Sequence, residues 1–371
     1  MMQLRAPTPP PINIWWTRYS SVLIGVVVVL VVLSMILRRW VPHIKVSAWM
    51  RRRALGKRTE VKLGRSLLER SVTGGVRFLS NTSLVLGSLI ILTLLVAAFT
   101  PQALAPYEKD LDIGRFLQMI EGKLMAPPIP PSPPYPMGTD HQGRDVLTQV
   151  IYGTRLTLGL ALAATLIRLT IGVGLGGVAG WKQSGVSQQI VSLSAVSASI
   201  PSLLFAYLFI VSIGPQQGFG VFLLGLALTG WAELTNLVNS AIGWIKAQPY
   251  MEGARTLGST PSHLIRRHVF PNLAPQLLPA FALELSAATL ILAELGFLGI
   301  VFGERAPSSI PQSLRVVQAA EWGGMLSGSR ILLFSKPWLP LMPAMAFMVS
   351  ILGFNLFGIG LRGWLDPYRS S

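Results

Sequence analysis

Leu156–Gly180 reads LTLGLALAATLIRLTIGVGLGGVAG, twenty-five residues with one charge, Arg168. About 20 consecutive apolar residues suffice for a helix to cross a bilayer, so this stretch predicts a transmembrane span. Gly172, Gly174 and Gly177 formally satisfy Gly-x-Gly-x-x-Gly. They lie inside an apolar span with no strand before them, so the nucleotide-binding reading fails. Small residues at this spacing instead predict close approach of a second membrane helix.

Working outward, the same reading predicts spans at about Ser20–Leu37, Thr82–Phe99, Ile190–Ile213, Phe219–Val238, Leu273–Val301 and Leu339–Leu361. Arg38 and Arg39, not a small-residue cleavage site, follow the first of these, which makes it a retained span. Composition agrees. The 371 residues are 51% hydrophobic and 12% charged, with mean hydropathy +0.54. Globular chains run near ~25% charged, which excludes an ordinary cytosolic enzyme and a disordered chain. With no cysteine, disulfides, iron–sulfur clusters and thiolate zinc sites are excluded too.

The net charge of +16 is informative through its placement. Residues 38–77 hold twelve Lys/Arg against Glu60 and Glu69, which assigns that loop to the cytoplasm and the N-terminus to the outside. The basic run reads as a topology signal touching anionic lipid rather than as a nucleic-acid site. Residues 100–154, with six acids and four Lys/Arg, then lie outside. Residues 239–272, with Lys246, Arg255, Arg266 and Arg267 against Glu252, lie inside, as does the tail. The outer loop 303–336 carries Arg305, Arg315, Arg330 and Lys336 and fits the rule less well. Seven prolines in Pro127–Pro136 predict an extended polyproline-type segment. The helix-like stretch 107–124 before it predicts a short surface element outside the membrane. Three parts follow: 1–80 (extra span and basic loop), 81–155 (first core helix and outer Pro-rich segment) and 156–371 (core).

Reactive chemistry is sparse. No phosphate-binding Gly-x-x-x-x-Gly-Lys-Ser/Thr loop exists, and His43, His141, His263 and His268 are scattered without a ligand constellation, so no metal site is expected. Ionisable groups inside spans are costly and face a partner or a cavity. Arg168, Glu233, Glu284 and Glu294 are such groups. One reading is an ion pair of Arg168 with Glu284 or Glu233. The other places Arg168 on a translocation cavity, meeting an anionic group of a cargo.

The cytoplasmic stretch Tyr250-Met-Glu-Gly-Ala-Arg-Thr-Leu-Gly258, then Ser-Thr-Pro-Ser-His-Leu-Ile-Arg-Arg-His-Val-Phe-Pro271-Asn272, predicts a short amphipathic helix and a glycine stop. A new start follows at Thr260-Pro261, with a second helix halted by Pro271. Such a unit at the membrane face is a docking surface for a cytoplasmic partner.

Glu252, Gly253, Ala254, Arg255, Leu257 and Gly258, with Ile265, Phe270, Pro271 and Asn272, resemble the Glu-Ala-Ala loop of ABC-importer permeases. Gly138, Thr139, Asp140, Gly143, Arg144 and Asp145, followed by Ile151-Tyr-Gly-Thr-Arg155, resemble the outer segment of dipeptide/oligopeptide/nickel-type permeases. Leu295–Gly299, Trp322-Gly-Gly-Met-Leu-Ser, Lys336-Pro-Trp-Leu and Phe354–Arg362 with Leu365-Asp-Pro367 continue the likeness, which covers about 81–367 and is nearest the C-type subunit. The departures are Gly253 for alanine, Ile359 and Gly363 where acids are common, Arg168 itself, the uncharged 187–199, and the extra residues 1–80.

The resemblance implies an all-α polytopic membrane protein of the type I ABC-importer permease fold, with six core transmembrane helices and one extra N-terminal helix, in a bacterial or archaeal plasma membrane. It implies a homologous second permease, two cytoplasmic ATPases docked at 250–272 and an extracytoplasmic binding protein delivering peptide, with nickel or another small solute as alternatives. ATP and Mg would be bound by the ATPases. This chain would bind no cofactor of its own and perform no catalysis. A membrane-embedded enzyme is the rival class and would need clustered Asp, His or Lys at an interface; no acidic pair such as Asp-x-x-Asp appears.

Overall fold

Asn81 opens the first described helix, α1 (Thr82–Phe99), its side-chain oxygen accepting from the Leu84 amide at 3.2 Å, as helix-start asparagines do. The computed structural model describes residues 81–107, 118–120, 123–182, 185–301 and 321–365. The expected span Ser20–Leu37, the basic loop and most of the loop from 303 lie outside these residues. A one-turn α2 (Pro101–Leu104) follows α1.

The surface element expected at 107–124 is not helical where described: β1 (Gln118–Ile120) pairs antiparallel with β2 (Lys123–Met125). The polyproline segment is not uniformly extended either. Ser132 and Tyr135 exchange both backbone hydrogen bonds, at 3.0 and 2.9 Å. Pro133 and Pro134 sit at the centre of that turn, where their missing amide donors cost nothing.

The central helix α3 (Val146–Trp181) begins ten residues before the expected span, because Asp145 caps it through the Thr148 amide at 2.8 Å. Its polar first turns are helical although they are not apolar. The expected span Ile190–Ile213 is two helices, α4 (Gly185–Ala198) and α5 (Ser202–Ile213), bent by 86° before Pro201. The next is also broken: α6 (Phe219–Ala227) and α7 (Trp231–Lys246) join through Leu228–Gly230, and α7 runs eight residues beyond the expected end.

After α8 (Pro249–Thr256) comes the one-turn α9 (Pro261–Leu264), a π turn over Ile265–Val269, and α10 (Phe270–Leu298). Pro271 does not halt the helix as expected. The π turn shifts the hydrogen-bond ladder so that the Phe270 amide donates to Ile265 O, and Pro271 enters at the start of α10, where an amide is dispensable. The short α11 (Trp322–Ser329) and long α12 (Trp338–Leu365) complete the described chain. By length and composition five helical stretches can cross a membrane, or six if the bent α4–α5 pair is one span, among the described residues.

Contacts group Gly87–Gly358 into one unit. Its core joins α3, α5, α6, α10, α11 and α12 through Leu160, Ala164, Phe222, Leu226, Leu295 and Phe347. Trp322 locks α11 onto α3, donating from its indole to Val150 O at 2.8 Å and from its amide to the Thr157 hydroxyl at 3.1 Å. In the smaller unit, Asn81 Nδ2 donates to Gly360 O at 2.8 Å, and Gly360 lies flush against Leu84.

The close-packing glycines of α3 form a different set from the one the sequence singled out. A Cβ on Gly172 would collide with Leu234 Cβ, and one on Gly176 would lie 2.6 Å from Thr235 O and on Gly180 2.8 Å from Ile242 Cβ. Gly174 and Gly177 meet nothing within 4 Å. Residues four apart share a helix face, so the seam against α7 is 172–176–180 and only Gly172 belongs to both sets. At its end, Lys246 Nζ donates to Gly180 O and Trp181 O at 3.1 and 3.0 Å, tying α7 to the last carbonyls of α3.

Candidate functional site

Three groups of the expected residues come together, each for a different physical reason. In the first, Gly138–Asp145 folds into a compact loop ahead of α3. Thr139 is fully buried and exchanges two hydrogen bonds with Ile129: its hydroxyl accepts from the Ile129 amide at 2.9 Å and its amide donates to Ile129 O at 3.0 Å. Asp140 accepts from the amides of Gln142 and Arg144, each at 2.9 Å, and from Arg144 Nε at 2.7 Å. Asp145 takes both the amide and the hydroxyl of Thr148. Gly138, at φ +74°, leaves 2.6 Å between a would-be Cβ and Ile129 O, so no side chain fits there. Gly143, at φ +79°, turns the chain within the same loop. The motif spends its polar groups on itself.

The second group is the mid-span charge cluster. Arg168 is 1% exposed and fully engaged: Nε donates to Leu226 O at 2.8 Å, Nη1 to Glu284 Oε2 at 3.2 Å, and Nη2 to the Thr229 hydroxyl. Leu226 O stands at the end of α6, where it also accepts from the Thr229 amide at 3.2 Å and the Thr229 hydroxyl at 2.7 Å. Arg168 thus pairs with Glu284 and at the same time staples a broken span. Of the two partners considered, Glu284 makes the ion pair; Glu233 is exposed in the first turn of α7. Glu294, half-buried, lies ten residues beyond Glu284, about 15 Å along α10. Thr229 and Gly230 were missed from sequence. A Thr-Gly step in the middle of an apolar stretch was the available signal.

The third group is the segment 249–272. Its inward side is apolar: Met251, Leu264 and Val269 are buried against Val238, Ile242 and Ile245 of α7 and Leu273 of α10, with Ala254 partly buried alongside. Its outward side carries Glu252, Gly253 and Arg255, all exposed, then Leu257 at 87%, Ile265 at 39% and Phe270 at 63% exposure. Gly258, at φ +80°, reverses the chain after α8, its amide donating to Arg255 O at 2.9 Å. Pro271 is exposed, and the neighbouring Asn272 side chain donates to His268 O at 2.7 Å. Leu257, Ile265 and Phe270 are large apolar groups left in the open on a segment whose inward side is clamped to α7 and α10. The clamping residues were not singled out from sequence. Their spacing on α8 and through the π turn is too irregular to read.

The family described as the binding-protein-dependent transport system inner membrane component matches residues 172–370. The chain belongs to this family. The dipeptide transport system permease protein DppC of Alkalihalophilus pseudofirmus is 31% identical over 296 residues, covering 79% of this chain and 88% of that protein. The oligopeptide transport system permease protein OppC of Bacillus subtilis is 27% identical over 292 residues, covering 79% and 88%. The nickel transport system permease protein NikC of Escherichia coli K12 is 28% identical over 293 residues, covering 78% and 96%. The chain is therefore an ABC-importer permease of the dipeptide/oligopeptide/nickel type, a multi-pass inner-membrane component of a binding-protein-dependent transport system.

Proposed function

We propose that this permease imports peptides together with a homologous second permease, the two chains enclosing the pathway, and that two cytoplasmic ATPases grip the segment 249–272. An extracytoplasmic binding protein delivers cargo to the face that carries Gly138–Asp145. ATP and Mg are bound by the ATPases; this chain supplies no covalent step. ATP-driven closure of the ATPases pushes on α8 and the π turn, and Met251, Leu264 and Val269 transmit that push to α7 and α10.

The observation that carries this reading is the two-sided segment, apolar and exposed below, apolar and clamped above. A surface of that kind is a docking face. The dipeptide and oligopeptide systems of the relatives support peptide as the cargo. Residues 81–155 would form the first core helix and outer loop, residues 156–371 the core, and residues 1–80 an added segment.

Leu257→Asp tests the docking. The variant should insert and pair with the second permease but lose at least about tenfold in peptide uptake, because a charge replaces an apolar anchor at the interface. ATP hydrolysis should also stop responding to cargo-loaded binding protein. Uptake at the wild-type rate would contradict the docking role.

A further inference from the structure

Two spans are broken at facing places. The bend before Pro201 separates α4 from α5, and Leu228–Gly230 separates α6 from α7. Between the breaks lies an open crevice lined by Ser197, Ser202, Phe205, Thr229, Gly230 and Glu233. Glu233 is exposed, and its side chain makes no hydrogen bond or ion pair among the described residues. It is the fifteenth residue of the 28-residue stretch Phe219–Lys246, at the middle of that span. Irregular backbone at membrane depth is tolerated where it lines a cavity.

Charge arithmetic separates Glu233 from its neighbours. Arg168 and Glu284 neutralise each other in an ion pair. Glu233 is a further carboxyl group with no ion-pair partner of its own among the described residues. Backbone dipoles do not offset it, since each break presents one carbonyl end and one amide end. An acid in the first turn does suit the dipole of α7, but a neutral Ser, Thr or Asn cap serves a helix start without placing a charge inside a span. The hydroxyls of Ser197 and Ser202 make no hydrogen bond among the described residues and line the same crevice as the carboxylate. A carboxylate with two free hydroxyl acceptors matches an ammonium, which has three donors and no acceptor.

We propose that Glu233 receives the free amine of the cargo within the membrane, in the crevice between the two broken spans. This rests on the peptide reading above and adds to it a selection step after delivery: the permease itself tests for a cationic terminus.

The test uses the complete importer reconstituted in vesicles with its binding protein. Initial uptake rates of Ala-Phe and N-acetyl-Ala-Phe are compared, each at a concentration that saturates the binding protein, with occupancy measured separately. The wild type should favour the free amine by about tenfold or more, the size of one charge-assisted hydrogen bond. Glu233→Gln should lose most of the Ala-Phe rate, bringing the two rates within about twofold, while Glu233→Asp keeps the preference. An unchanged ratio in Glu233→Gln, or no preference in the wild type, overturns the proposal. Failure of Glu233→Gln to co-purify with the second permease also overturns it, because the carboxylate would then be an assembly contact. If the wild-type importer carries neither peptide under ATP, the peptide reading itself fails and takes this proposal with it.

Discussion

The loop Gly138–Asp145 and the segment Glu252–Asn272 are both dense in the residues that mark this family, yet they use those residues in opposite ways. In the first, the polar side chains are spent on the loop and its neighbours: Thr139 is buried against Ile129, half-buried Asp140 is held by two amides and Arg144, and Asp145 starts α3. In the second, the inward contacts are made by Met251, Leu264 and Val269, which carry no motif signal, and the marked residues Glu252, Arg255, Leu257 and Ile265 stand exposed. A recurring pattern can therefore specify a fold or specify a surface, and burial separates the two. Substitutions in the first loop should cost stability, and substitutions in the second should cost coupling.

The largest stability effect belongs to Gly138→Val. It forces a β-branched side chain to φ +74° and to within 2.6 Å of a backbone carbonyl, which combines strain of order 1–3 kcal/mol with overpacking of similar size. The thermal midpoint of the purified complex should fall accordingly; an unshifted midpoint would show that the outer loop is not structural. Asp145→Ala comes next. It removes the cap of α3 and leaves the Thr148 amide without its acceptor, a loss of about 1–2 kcal/mol. Denaturant unfolding should show that loss, with ATP-coupled uptake per folded complex unchanged.

The smallest effect has the opposite sign. Gly253 lies inside α8 with nothing within 4 Å of a would-be Cβ, so Gly253→Ala should stabilise by about 0.5–1 kcal/mol through helix propensity alone. A destabilised Gly253→Ala would mean that this surface is packed rather than open, and the contrast between the two loops would dissolve.

Much of this was legible in the sequence, for identifiable reasons. Apolar runs announce spans because the bilayer demands them, and Thr82–Phe99 was read to the residue. The Arg168–Glu284 pair was readable because few charges occur in the spans, leaving few partners to choose from. Geometry that depends on the neighbouring helix was not readable. The glycine seam 172–176–180 is chosen by where α7 lies, not by the Gly-x-Gly spacing. The early start of α3 was hidden because Thr148, Gln149 and Arg155 are polar, although Asp145 was a visible cap. The π turn that carries the helix past Pro271 leaves no mark that a proline rule can use. The two span breaks at Pro201 and Gly230 were overridden by hydropathy, which averages across them.

The chain has no cysteine, so Leu257→Cys places its only thiol on the outermost apolar residue of the segment beneath α7 and α10. Cross-linking this thiol in the assembled transporter, through a short thiol-to-amine reagent, tests the central claim most directly. The account predicts an adduct with an ATPase subunit that changes in yield when ATP is added. A thiol labelled only by membrane-impermeant reagent from the outer side, with no ATPase adduct, would contradict it.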